Sequence, residues 1–264
     1  MILFPKFFKL TTVALAAFAV SVRAADAPRQ IDLKPFKRVD DVVVPLPNEV
    51  FGALDKLGGV NWKEYVRNGK GSNFTERPRI ALLLGTVIAD GFIAVQAEDA
   101  PTVQEIGQRV LGLAKGIGVG GSITPHAKAI TEAAQKRNWA AVRLELDRTQ
   151  NSVQEAMREV DDEKLSHLVS LGGWLRGTEV LTAVVNKNFS PDGAELLHQP
   201  DLLGYFEDRL KAMPQFNSKL LQDIRVALGE VRPLIDVGNA SISQESVKRI
   251  NEITTRIDAA IVTK

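Results

Sequence analysis

Apolar positions recur at helical spacing through almost the whole chain after residue 74. The stretch 80–97, IALLLGTVIADGFIAVQA, is apolar on every side, which marks a helix enclosed by protein or lipid rather than one with a wet face. Arg77 and Arg79 precede it and Asp90 sits near its centre. That favours a buried core helix over a membrane span, where a central charge costs a few kcal/mol. Thr75 is placed to cap this helix, with Pro78 in its first turn, where a missing amide is harmless. A helix over 104–117 follows and ends in Gly116, Gly118, Gly120 and Gly121. Ser122 or Thr124 then caps a helix with Pro125 at its first position.

Asn138 interrupts that helix, and from Trp139 the apolar residues Val142, Leu146, Val153, Met157 and Val160 keep a spacing of threes and fours. A second apolar helix runs over 164–185 and contains Leu171-Gly172-Gly173-Trp174-Leu175-Arg176-Gly177. Ser190 and Pro191 open a short helix ending near His198, and Pro200 restarts the chain. The last two helices form a hairpin. Leu220, Ile224, Ala227, Val231 and Leu234 line one; Val247, Ile250, Ile253, Ile257 and Ile261 line the other, after a cap at Ser241 or Ser243.

This pattern predicts an all-α fold over 75–264, a bundle of about eight helices. The segment 25–74 reads as an irregular arm over that body, broken by Pro28, Pro35, Pro45 and Pro47. Within it, Asp41-Val42-Val43-Val44 has the character of a short strand, 48–57 of a short helix and 68–72 of a loop. The run Leu84-Gly85-Thr86-Val87-Ile88-Ala89-Asp90-Gly91 loosely echoes the Leu171–Gly177 run with one residue deleted. Duplication of a four-helix unit of roughly ninety residues would account for the echo.

The first residues, 1–24, carry Lys6 and Lys9, then an apolar run, then Val22-Arg23-Ala24 with small residues where a signal peptidase reads. They predict a signal peptide cleaved after Ala24, an uncleaved anchor being the alternative. With Cys 0, there is no lipoprotein attachment, no disulfide and no thiolate chemistry. An exported chain of this kind fits a bacterial periplasm, or secretion, with no membrane span once the signal is removed. Lys+Arg 33 against Asp+Glu 32, with no dense basic run, argues against nucleic acid.

Familiar chemistries find little support. The Gly116–Gly121 series follows a helix, whereas a dinucleotide fingerprint follows a strand, so these glycines serve a helix end. His126, His167 and His198 are far apart in sequence. Glu195-x-x-His198 has the spacing of a carboxylate-bridged metal bundle but lacks the second copy such a site needs. No Ser occupies a Gly-x-Ser-x-Gly elbow, and the neighbours Ser166 and His167 point different ways on a helix. No catalytic residue, metal ligand or cofactor is nominated.

What remains is a buried polar set. An ionised carboxylate in an apolar helix needs a partner. Close packing of the two glycine-containing helices, through Gly85, Gly91, Gly172, Gly173 and Gly177, would bring Asp90 to Arg176, with Glu179 one step further. Two readings are open: an ion pair that fixes helix register, or a ligand-binding spot using Asp90, Trp174 as a wall, Arg176 and Glu179. Glu98 and Asp99, at the helix end, are expected in solvent.

The runs Leu84-Gly85-x-x-x-Ala89-Asp90 and Gly172-Gly173-Trp174-x-x-Gly177 resemble a pair found in exported, all-helical bacterial proteins of uncharacterised function. In those, the second motif reads Gly-Gly-Trp-x-Glu-Gly; here Arg176 replaces the Glu. The resemblance implies an exported helical bundle and no particular activity, and the Arg turns a carboxylate pair into an ion pair. The expected function is therefore a periplasmic helical protein that binds or interacts, with an unknown protein or small-molecule partner in the cell envelope and no enzymatic role assigned. The alternative is a small-ligand- or metal-binding bundle, an enzyme included, built around Asp90 and Arg176.

Overall fold

In a computed structural model of the chain, the described residues are 47–67, 74–159 and 162–263. The expected signal peptide, the Asp41–Val44 strand, the first part of the arm and the 68–72 loop lie outside them. The described residues form ten α-helices and one 3-10 turn, with no strand among them. In chain order the helices are α1 (Pro47–Lys56), α2 (Arg77–Gln96), α3 (Ala100–Gly116), α4 (Gly120–Gln135), α5 (Trp139–Glu159) and α6 (Glu163–Lys187). Then come α7 (Pro191–Glu195), α8 (Pro200–Lys211), α9 (Lys219–Ile235) and α10 (Gln244–Val262), while the 3-10 turn, Trp62–Tyr65, lies between α1 and α2. The all-α expectation holds.

The two apolar helices, α2 and α6, pack on one another at the centre. Ile80 to Val87 of α2 are all buried, as are Leu168, Leu171 and Leu175 of α6. Helices α3, α4 and α5 follow from α2 as successive neighbours; α10 covers the other side of α6, backed by α9 and then α8. Val247, Ile250, Ile253, Ile257 and Ile261 of α10 are all buried, as their spacing predicts. In α9 the deepest positions include Leu221 and Ile235, with Leu220 and Leu234 only partly covered.

Glycine sets the distance between the central pair. A Cβ on Gly85 would lie 1.8 Å from the Val169 carbonyl oxygen, and one on Gly172 would lie 2.0 Å from that of Leu82. Only residues without a side chain permit backbones this close. Thr86 Oγ1 donates to the Gly172 carbonyl at 3.4 Å, and four residues on in each helix Asp90 meets Arg176. The contacts advance together, so α2 and α6 run parallel. Gly91 packs instead toward Ile106 of α3, and Gly177 faces open space; neither belongs to the crossing.

Helix ends depart from expectation at α2, α3 and α4, α3 starting at Ala100 rather than at 104. Glu76, not Thr75, precedes α2, without a side-chain cap. Helix α4 starts at Gly120, so Pro125 lies inside it rather than at its first position. Pro125 removes one amide from the ladder, and Thr124 Oγ1 donates to the Gly120 carbonyl at 2.8 Å in that turn. Gly118, with φ +93, takes the left-handed step between α3 and α4. Asp99 is not idle: its side chain accepts from the Thr102 amide and caps α3. Ser190 and Ser243 cap α7 and α10.

The described part of the arm is packed. Phe51 of α1 is buried, its ring 5.1 Å from that of Phe92. Arg143 of α5 lies over the Phe51 ring and bonds Asp55 of α1 and Gln96 of α2. Trp62 is buried against Ile93, Val180 and Val184. At the opposite end of α2, the Arg79 guanidinium donates to the carbonyls of Ala260, Ile261 and Thr263, satisfying the C-terminus of α10 with a cation. Helix α10 therefore runs antiparallel to α2.

Candidate functional site

Asp90 and Arg176 meet as the apolar context requires. Arg176 Nε donates to Asp90 Oδ1 at 2.7 Å, and the two side chains are only 3% and 2% exposed. The other two Arg176 nitrogens are also engaged: Nη1 reaches Glu179 Oε2, and Nη2 donates to the Tyr65 carbonyl at 2.7 Å. The i, i+3 spacing within α6 brings Glu179 to the same face.

Two further residues complete the cluster. Arg67, from the segment before α2, donates from Nε and Nη2 to the two Asp90 oxygens, each at 3.2 Å. Its Nη1 reaches Asp258 Oδ2 on α10. Asp90 thus receives two guanidiniums, and four parts of the chain converge on one point. Asn251 closes the α6–α10 side, donating to the Glu179 carbonyl and to Thr182 Oγ1, both at 2.9 Å.

Charge is unequal here. Two guanidiniums (Arg67, Arg176) face three carboxylates (Asp90, Asp258, Glu179), which leaves one negative charge in excess when all are ionised. Asp258 bears the consequence. It is 1% exposed, its Oδ1 has no hydrogen-bond partner among the described residues, and burial pushes its carboxyl up to about 6 against the pull of Arg67. A proton on Asp258 neutralises the cluster. For Arg67 burial opposes the charge, but Asp90 and Asp258 outweigh it and hold the guanidinium above its ordinary value.

Of the residues singled out in the sequence, Asp90, Arg176 and Glu179 come together and Trp174 does not. Residues two apart on a helix point about 200° apart. The Trp174 indole faces the α7–α8 side, donating to Gln199 Oε1 at 3.2 Å with its ring 5.6 Å from that of Phe206. It is no wall of this site.

The histidines go to three separate places. His167 is buried beside Tyr205, whose hydroxyl lies 2.6 Å from its Nδ1. Burial, helped by the charge of Arg209, pushes it down to about 4. His198 pairs with Glu195 at 3.1 Å at a helix end. His126, on α4, bonds across to Glu145 and Ser152 on α5. Among the described residues no three His, Asp or Glu side chains form a group that would hold a metal ion. Compared with known proteins, the chain matches no family model, no curated protein and no solved structure.

Proposed function

We propose that the chain is an exported, periplasmic helical interaction protein in which the charge cluster is a clamp rather than a receptor. The observation that supports this is that Arg67 and Arg176 are both committed to partners inside the protein. Arg67 reaches two carboxylates, and Arg176 two carboxylates and a carbonyl. The clamp ties the segment before α2 to α2, α6 and α10. The partner, a protein of the cell envelope, then meets the polar outer faces of the helices. The echo between the α2 and α6 motifs fits a duplicated unit in which those two helices correspond.

A second reading has one observation in its favour, the unpartnered buried Oδ1 of Asp258. A small ligand with a hydrogen to donate would satisfy it.

Native mass spectrometry on the mature chain, purified from a bacterial envelope, separates the two. The clamp reading expects a bare chain or a chain with a polypeptide partner. Asp90→Asn and Arg176→Met then lower the melting temperature and leave that spectrum unchanged. A small-molecule adduct that Asp90→Asn abolishes in a folded protein overturns the clamp and installs the ligand reading.

A further inference from the structure

Away from the clamp, on the α4–α5 hairpin, His126 Nδ1 lies 2.7 Å from Glu145 Oε1 and its Nε2 lies 2.8 Å from Ser152 Oγ. The order of atoms matters. A carboxylate only accepts, so the Nδ1 hydrogen goes to Glu145. Nε2 is then left as the acceptor facing the Ser152 hydroxyl. A nucleophile bonded to a base that is itself oriented by a third group is the arrangement that activates a hydroxyl.

We propose that Ser152, His126 and Glu145 form a nucleophilic triad that accepts the acyl group of an activated ester. Ser152 Oγ attacks the ester carbonyl carbon as its proton passes to His126 Nε2. The bond to the leaving oxygen breaks, and that oxygen takes the proton from His126. Water, activated by the same imidazole, then attacks the acyl-serine, releasing the carboxylic acid and restoring Ser152. Glu145 touches no reacting atom; it is a positioning residue that holds the imidazole in the required tautomer and stabilises its cation.

Two details of α5 fit this role. Glu145 and Ser152 are seven residues apart, two turns along one face. Arg148 lies between them, one turn before Ser152, with Nη1 3.2 Å from Glu145 Oε2 and its side chain 63% exposed. Its guanidinium, once it swings off Glu145, is the cation assigned to the developing oxyanion. Backbone amides around Ser152 are committed to the helix, so one cation replaces the paired amides of an elbow. Good leaving groups are therefore required, which defines the substrate class as activated esters. The triad side chains are shielded but reachable, His126 being 18% and Glu145 15% exposed.

The test uses the full chain, a fluorophosphonate probe and p-nitrophenyl butyrate. Intact mass and peptide mapping should find a single adduct, on Ser152. Ser152→Ala removes it together with p-nitrophenolate release, and His126→Gln slows both by roughly a hundredfold or more. Glu145→Gln moves the midpoint of the pH–rate profile as well as its height, which a merely structural role would not do. Wild-type chain that takes no label at Ser152 after long exposure at about pH 8 overturns the proposal without recourse to any variant. So does a folded Ser152→Ala chain that hydrolyses the ester at the wild-type rate. None of these outcomes depends on how the Asp90 cluster is used.

Discussion

Gly172 lies directly against the backbone of Leu82: a Cβ placed on it would be 2.0 Å from the Leu82 carbonyl oxygen and 2.8 Å from its carbonyl carbon. Backbone cannot rotate out of the way as a side chain does, so the two central helices must separate to admit even a methyl group. Gly172→Ala is expected to cost roughly 3 kcal/mol or more, and Gly85→Ala the same. Gly177, exposed on the same helix with nothing within 4 Å of its Cβ position, should gain about 0.5–1 kcal/mol when changed to Ala. Urea denaturation of the three variants checks this. Equal effects at Gly172 and Gly177 would show that the crossing is not set by these contacts.

Arg176 is the hub of the clamp, and its loss should be felt beyond its own contacts. Arg176→Met leaves Asp90 with Arg67 alone and Glu179 with no guanidinium, so a cost of roughly 3 kcal/mol is expected. Asp90→Asn should be milder, because both arginines keep another carboxylate. In the double variant the combined loss should be smaller than the sum, since each single change strands part of the same network. Chemical denaturation of the four chains gives the coupling. Simple additivity would mean that the pair is not one unit.

Asp258 and His167 oppose one another with pH. Asp258 rises from 3.8 to about 6 on folding, so the native state binds its proton more tightly and acidification through that window favours folding. His167 falls from 6.5 to about 4, so the native state gives up its proton and acidification disfavours folding. Each effect amounts to up to about 3 kcal/mol, with opposite sign over nearly the same interval. From these two groups the wild type should change little between about pH 6.5 and 4. Asp258→Asn should lose stability on acidification and His167→Gln should gain it. Urea midpoints across that range decide the matter; the same slope in both variants would refute the assignment.

Local stability at α1 should rest on Arg143. Its guanidinium covers the Phe51 ring at 4.4 Å and bonds both Asp55 oxygens, at 2.9 and 3.1 Å. Arg143→Met should accelerate hydrogen exchange of the α1 amides by roughly tenfold while leaving the α2 and α6 amides at their global rate. Uniform acceleration across the chain would instead show that α1 is part of the central cooperative unit.

The Asp90–Arg176 pair was legible because an isolated carboxylate in an apolar run demands a partner, and Arg176 is the one guanidinium in the matching apolar helix. Arg67 gave no such signal. It lies outside any periodic stretch, and its role depends on how the chain returns over α2. Asp258 did leave a trace: with Thr254 it occupies i, i+4 positions on the buried stripe of α10, where polar residues stand out. The purely apolar reading of that stripe passed over both. Trp174 misled through nearness in sequence, which on a helix is not nearness in space. Ser152, His126 and Glu145 are each ordinary surface-helix residues, and only the α4–α5 packing brings them into line.

The parallel α2–α6 crossing also bears on how the chain is delivered. Asp90 and Arg176 are 86 residues apart, so a ribosome that emits the chain from its N-terminus presents α2 long before its partner helix emerges. Until then α2, 20 residues with a mean hydropathy of 1.7 in its most apolar window, is long and apolar enough to be held by a bilayer. Asp90, still lacking the Arg176 guanidinium during that interval, makes such retention costly. The residue that anchors the finished core thus also counts against lodging of the unfinished chain in a bilayer.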